Sequence, residues 1–277
     1  FLENLNIDRT VEISSIKGGY SNAIKQLNKF IDVGYHDYAK FRSDPSKEAS
    51  SQLSPYFHFG QISTHEVFEK ISDLESWSPE SIDPKMVGRR EGWWGSSDNF
   101  ESFMDELITW RELGYHTCVR RANYNQYSSL PEWAIKTLHE HSSDEREHIY
   151  TLDELTYSQT HDEIWNAAQN QLRTQGIIQN YLRMLWGKKI LEWTPNPQVA
   201  LSYMITLNDR YSLDGRDPNS YSGVFWILGR YDRAWGPERN IYGKIRYMTS
   251  DSTARKFNLK PYLEQWGNEA LGLSTSI

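Results

Sequence analysis

Between Asn180 and Pro197 the chain reads NYLRMLWGKKILEWTPNP. Arg183, Trp186 and Trp193 follow one another at spacings of three and seven residues. On an α-helix these spacings fall along one stripe, with the two indoles roughly 10 Å apart along the axis. A cation beside two large π-systems suits single-electron transfer, because indoles can be oxidised transiently and packed in contact. Plain core packing explains the same stripe, and a tryptophan can serve both ends. A second candidate is SSQLSPYFHFGQIS, from Ser50 to Ser63. Ser51 and Ser54 sit where a proline turn gives way to an apolar helix. Their hydroxyls, with the N–H groups of a helix start, suit a phosphate. An ordinary N-cap and turn accounts for them as well.

Other chemistries find less support. Neither a GxGxxG nor a GxxxxGK[ST] loop is present, so a bound nucleotide would not use those phosphate loops. HEHSSDEREH offers His139, His141, Glu145 and His148, but their spacings match no closed metal site and read as a polar junction between helices. No metal is therefore expected. No nucleophile elbow is found. The single cysteine, Cys118, excludes an internal disulfide, a cysteine-ligated cluster and a zinc knuckle, and it fits a reducing cytoplasm.

The elements that must position these residues read as helices. SNAIKQLNKFIDVGY has an apolar face with Ser21 as expected N-cap, and STHEVFEKISDL opens on a capping box of Ser63 and Glu66. NFESFMDELITWRELGYHTCVRR, LPEWAIKTLHEH, TLDELTYSQ, DEIWNAAQNQLRTQG and NPQVALSYMITLNDRY carry the helical period, and Pro195 and Pro197 end the tryptophan helix. Alternating strand patterns are scarce, so the expectation is an all-α fold in one domain over residues 1–277. Two loops stand out: 76–99, rich in Gly, Pro, Ser and Trp, expected on the surface, and 212–223, a dense turn cluster.

The 277 residues include 11 Trp and 17 Tyr, an excess that asks for an explanation beyond the core. A mean hydropathy of −0.71 and the lack of a long apolar run predict no membrane span, and FLENLNIDRTVEI shows no signal-peptide pattern. The net charge of −7 alone speaks against nucleic acid. Yet residues 230–260 carry eight Lys/Arg against three acids, enough for a local basic face that binds phosphates. A solvated helix pair is the other reading of that stretch.

Nine stretches in order resemble the flavin-binding domain of the DNA photolyase/cryptochrome family, in particular class II cyclobutane pyrimidine dimer photolyases. They are GGYSNAIKQL, YAKFRSDP, SSQLSPYFHFGQIS, DELITWREL, SSDEREHIYTLDEL, QTHDEIWNAAQ, NYLRMLWGKKILEWT, LNDRYSLDGRDPNSY and ERNIYGKIRYM, spanning roughly residues 17 to 258. The resemblance implies an all-helical domain holding a bent FAD. Tyr38, Ser51, Gln52, Leu53 and Ser54 would hold its diphosphate and ribityl part. Asn180 and Gly215 belong to the same set. Arg183 would lie against the isoalloxazine, paired with Asp214, and Asn208 would face flavin N5. Trp186, Trp165 and Trp193 take the positions of the class II electron-transfer tryptophans. On the substrate side Arg42 would contact a phosphate beside the lesion and Glu106 the bases of the dimer. Trp110 and Trp226 would wall the pocket, with Met184 at its floor.

The implied function is light-driven repair of cyclobutane dimers by an electron from excited reduced FAD. The alternative is a cryptochrome-like flavin photosensor without repair. The implied partner is DNA with pyrimidine dimers, no membrane is involved, and the expected state is a cytoplasmic monomer, nucleoid-associated in a bacterium. Three departures matter. The family's N-terminal α/β antenna domain is not in the sequence, which is either a fragment or a natural short form; no antenna chromophore is expected on this chain, and a separate antenna-domain partner is the alternative. RSDP has Ser43 where the family usually has an asparagine. The 76–99 loop is longer than the family pattern.

Overall fold

Helix boundaries follow local chemistry. The computed structural model describes residues 4–86, 88–89 and 91–273. In chain order the helices are α1 Tyr20–Lys29, α2 Tyr38–Phe41, α3 Ser54–His58, α4 Thr64–Leu74, α5 Asp98–Met104, α6 Arg111–Arg120, α7 Glu132–Glu140, α8 Leu152–Thr156, α9 Glu163–Gln175, α10 Asn180–Glu192, α11 Pro197–Tyr211, α12 Pro218–Ile227, α13 Ser250–Lys256 and α14 Lys260–Trp266. A single isolated bridge, Arg239 to Gly243, is the only β-pairing among the described residues. The all-α expectation holds.

Two π-helical stretches interrupt the regular pattern. Phe30–Gly34 continues α1, and Asp105–Trp110 joins α5 to α6. A π-turn carries an extra residue and re-aims the side chains around it, and such turns recur at functional sites.

The chain divides into two compact units. One, here the tryptophan unit, takes in Phe1–Ile16, Leu130–Arg216 and Gly223–Ile277; the other, the π-helix unit, takes in Lys17–Ser129 and Asp217–Ser222. In the tryptophan unit α9 starts on the Asp162 carboxylate, which accepts from Trp165 N at 3.0 Å, and ends on Gly176 at φ 77°, a conformation that glycine adopts without strain. Gln179 caps α10 by accepting from Leu182 N at 3.1 Å. Gly187 lets α10 pack closely, since a Cβ there would fall 2.1 Å from Ile227 Cδ1. The π-helix unit is built on Leu27, Phe30, Tyr35, Val67, Ile71, Phe100, Phe103 and Met104, all buried.

Three local expectations are corrected. The N-cap of α1 is Gly19, not Ser21. Ser63 does cap α4, accepting from Glu66 N at 3.0 Å, but the return half of the box is replaced: the Glu66 carboxylate accepts from Tyr20 Oη at 2.7 Å. The 212–223 turn cluster is shorter than its composition suggests, because Pro218 at the first helical position starts α12.

The 76–99 segment is more than a surface excursion. Trp77 stacks on Phe100 with ring centroids 5.3 Å apart and donates its indole N–H to Trp94 O at 2.7 Å. Trp94 is buried and also meets Trp93 and Phe68. Val87 and Arg90 of this segment lie outside the described residues.

Candidate functional site

The tryptophan unit holds the electron-transfer candidates. Trp165, Trp186 and Trp193 are 0%, 1% and 2% exposed. Trp165 and Trp193 meet edge to face, with centroids 5.6 Å apart at 69°. Trp165 Nε1 donates to Trp186 O at 2.9 Å, and Trp186 Nε1 donates to Gln169 Oε1 at 2.8 Å. The geometry differs from a simple stripe: Trp193 is the C-cap of α10, and Trp165 from α9 supplies the ring that meets it. Lys189 lies over the Trp193 ring at 5.4 Å and bonds Glu192 at 2.8 Å.

Three residues before Trp186, half-buried Arg183 donates from Nη1 to Asn208 Oδ1 at 2.7 Å. Asn208 is buried on α11. The expected Arg183–Asp214 ion pair is not what forms. Asp214 accepts from Ser212 Oγ, two residues away, because the turn after α11 folds it back on its own backbone neighbourhood. Gly215 is buried in that turn, and a Cβ there would meet Asn208 O, Asp209 Cα and Ser212 O at 3.0 Å. Asn180 opens α10 and is exposed; Met184 and Trp226 are half-buried, and Trp226 meets Tyr231 at 6.1 Å.

The π-helix unit holds the rest. Tyr38 is buried at the start of α2, and its phenol is raised above its usual range by burial and then by the Glu106 charge. Arg42 and Glu106 form an ion pair, their side chains 33% and 37% exposed. Burial pulls the Arg42 guanidinium down, but Glu106 and Tyr38 outweigh it and hold it above its usual value. Glu106 and Trp110 both stand on the π-helix, where Trp110 Nε1 donates to Asp105 Oδ2 at 2.8 Å. Ser51 is half-buried and its Oγ accepts from Leu53 N at 3.4 Å; Leu53 is buried and Ser54 is exposed at the start of α3.

Sequence reasoning missed several features. Gln52 has φ 53°, a left-handed backbone that is strained for a non-glycine and marks this turn as held by its surroundings. Gln169, fully buried, was legible only as a polar residue one turn beyond Trp165. Lys188 is 3% exposed, its Nζ donating to Ile227 O at 2.5 Å, and burial brings its ammonium down to about 7. Of the residues weighed as metal ligands, His141 has its Nδ1 2.6 Å from Asp144 Oδ2, which also accepts from Ile241 N at 2.8 Å. In the basic stretch 230–260, Arg233 and Arg246 lie over Trp235 at 4.6 and 4.9 Å, and Arg239 lies over Tyr247 at 4.7 Å. Among the described residues no helix is long and apolar enough to cross a membrane.

Compared with known sequences, four curated proteins are 39–40% identical over 84–93% of the chain, and all four are named deoxyribodipyrimidine photo-lyase. These four relatives are photo-lyases. The one from Methanothermobacter thermautotrophicus is 40% identical over 255 residues, 92% of this chain and 52% of its own length. The chain thus spans about half the length of the curated photo-lyases it matches. Among solved structures, a cryptochrome from Synechocystis superposes with a TM-score of 0.65 at 15% identity, covering 99% of this chain and 50% of its own. An archaeal photolyase from Sulfolobus tokodaii, solved with two FAD molecules, gives a TM-score of 0.59 at 17% identity over 96% of this chain and 51% of its own. These likenesses establish the shared fold. No family model matches the chain.

Proposed function

We propose that this chain is the flavin-binding part of a class II-type light-driven lyase that splits cyclobutane pyrimidine dimers in DNA. The observation that carries the reading is the 40% identity to photo-lyases along nearly the whole chain. The residues in hand fit a flavin. Arg183 is bonded to a neutral amide, Asn208, so its positive charge remains available to an electron-rich ring. Bound FAD would supply a light-excitable donor of single electrons to the dimer. Arg183 and Asn208 orient and stabilise negative charge there, with Asn180, Asp214 and Gly215 on the same unit. Tyr38, Ser51, Gln52, Leu53 and Ser54 bind the diphosphate side through hydroxyls and backbone N–H groups. Trp186, Trp165 and Trp193 deliver electrons inward for flavin reduction.

A dimer leaves the duplex by flipping, and a lesion that already weakens stacking flips more readily. Arg42 exchanges its contact with Glu106 for a phosphate of the DNA. Glu106 then hydrogen-bonds the dimer bases. Trp110 and Trp226 offer ring faces to the bases, a contact of about 1–3 kcal/mol each, and Met184 closes the apolar side. The protein acts as a monomer in this reading.

The test is to load the protein with FAD, reduce it, and add a thymine-dimer oligonucleotide under blue light or in the dark. Recovery of thymine absorbance only in light is expected. Flavin uptake without repair supports a photosensor, a fold-level alternative that the cryptochrome likeness keeps in view. Failure to take up FAD overturns both readings.

A further inference from the structure

Lys188 is a buried ionisable group that the repair reading leaves unused. It stands on α10 two residues after Trp186 and is 3% exposed. Both its backbone and its ammonium end are engaged within the tryptophan unit. The buried Tyr242 hydroxyl lies 2.9 Å from Lys188 O. Lys188 Nζ reaches the end of α12 and donates to Ile227 O. Gly187, the residue before it, permits that reach, since a Cβ there would strike Ile227 Cδ1.

The bond lies where helix carbonyls lose their regular partners. Phe225 O accepts from Leu228 N at 3.1 Å and from Arg230 N at 3.0 Å, and Trp226 O accepts from Gly229 N at 2.9 Å. Ile227 O takes its donor from a side chain, that of Lys188. The turn that follows is strained: Gly229 has φ 106° and Tyr231, a non-glycine, has φ 63°. The left-handed Tyr231 sets its ring 6.1 Å from the Trp226 indole at 67°. Trp226 is half-buried, while Phe225, Ile227 and Leu228 beside it are fully buried. The helix end is thus sunk in the core and the Trp226 ring emerges from it.

A strained turn keeps its shape only where its surroundings over-determine it. A lysine is costly to bury, and an apolar side chain of the same length would fill the space without that cost. What an apolar chain would not supply is a donor to Ile227 O. A buried carbonyl left without one seeks another partner, and the turn after Trp226 must shift to provide it. The acid whose charge Lys188 feels, Asp232, accepts from Arg233 N at 2.8 Å and from Trp235 Nε1 at 3.1 Å, and so leaves Lys188 Nζ to the carbonyl.

We propose that Lys188 is a positioning residue for Trp226: by closing the end of α12 it fixes the angle at which that indole meets a base. The inference rests on the reading of Trp226 as a wall of the dimer pocket and adds what orients the wall. Lys188 acts through the Ile227 carbonyl and touches neither base nor flavin. Its effect therefore belongs to recognition of the flipped dimer. Binding of intact duplex, which rests on phosphate contacts elsewhere, is unaffected.

The experiment measures dark binding of the flavin-loaded protein to a duplex with one thymine dimer and to the same duplex without it. The readout is the ratio of the two affinities. Trp226→Ala should lower that ratio about thirtyfold and Lys188→Met about tenfold, both within the range of a base–aromatic stacking contact. Affinity for the intact duplex should stay the same in both. In the Trp226→Ala background Lys188→Met should add nothing. Lys188→Leu repeats the comparison, so that one poorly folding variant does not decide it. Fluorine NMR of protein labelled with fluorotryptophan gives a direct view, with lines assigned by their loss in Trp226→Phe and Trp77→Phe. The Trp226 line should move or broaden in Lys188→Met while the Trp77 line stays. A Trp226 line that does not change, a further loss in the Trp226→Ala background, or equal losses for both duplexes overturns the proposal. An unchanged ratio in Lys188→Met beside a lowered one in Trp226→Ala also overturns it and leaves the Trp226 wall standing. An unchanged ratio in Trp226→Ala removes the wall and the proposal together.

Discussion

In the tryptophan unit the side chains proposed to carry electrons are also the core: Trp165, Trp186 and Trp193 are buried, Trp165 in the first turn of α9, Trp186 within α10 and Trp193 as its C-cap. In the π-helix unit the corresponding residues are held at the surface. Arg42, Glu106 and Trp110 remain half-buried and are restrained by charge and hydrogen bonds on an irregular helix. Under the proposed function the difference follows from the tasks. Electrons need fixed ring contacts that no solvent relaxes, whereas a flipped base and a phosphate need groups that can change partner. Function and stability are therefore coupled in one unit and separable in the other.

Mutations can break or sharpen that contrast. The largest effect should come from Trp165→Ala, which leaves a core cavity and costs about 3–5 kcal/mol in denaturant unfolding. Trp110→Ala should cost less than half of that; equal losses would erase the distinction. Lys188 gives the next effect. Its folded-state value near 7 lies below the ordinary lysine value, so the unfolded chain binds more protons above that pH and stability rises with pH. The stability advantage of Lys188→Met over wild type should therefore shrink by about 2 kcal/mol between pH 7 and pH 9, read from urea midpoints at each pH.

Arg183→Leu removes the donor to buried Asn208 Oδ1 and should cost about 1–2 kcal/mol, with weakened flavin retention in equilibrium dialysis. Glu106→Gln is expected to be smallest in stability, under about 1 kcal/mol, because its ion pair is partly solvated. Repair should fall far more than stability in that variant. A parallel loss of both, measured by light-driven dimer reversal and denaturant melts, would make Glu106 structural.

Much of the fold was legible because its signals are local. The apolar period of DEIWNAAQNQLRTQG marked α9 within the sequence itself, and the structure adds Asp162 as its cap and Gly176 as its stop. The site was legible by residue type and less so by pairing. Arg183 was expected from the family resemblance to pair with the acid Asp214; the turn geometry gave it Asn208 instead. Arg42 and Glu106 stand 64 positions apart, and Lys188 and Ile227 stand 39 apart. Periodicity describes one element at a time and is silent on such meetings. The π-turn under Glu106 and the left-handed Gln52 were likewise invisible, because backbone strain is set by tertiary surroundings.

The Trp77–Trp94–Phe100 cluster has a consequence for how the protein comes apart. Its rings tie both roots of the 76–99 segment to α5, so those roots open only when that helix does. Trypsin acting on the folded protein should then nick at exposed Lys85 or Arg89 and go no further. The two fragments should co-migrate until denaturant releases them, which makes the segment a passenger of α5 in unfolding rather than an independent flap.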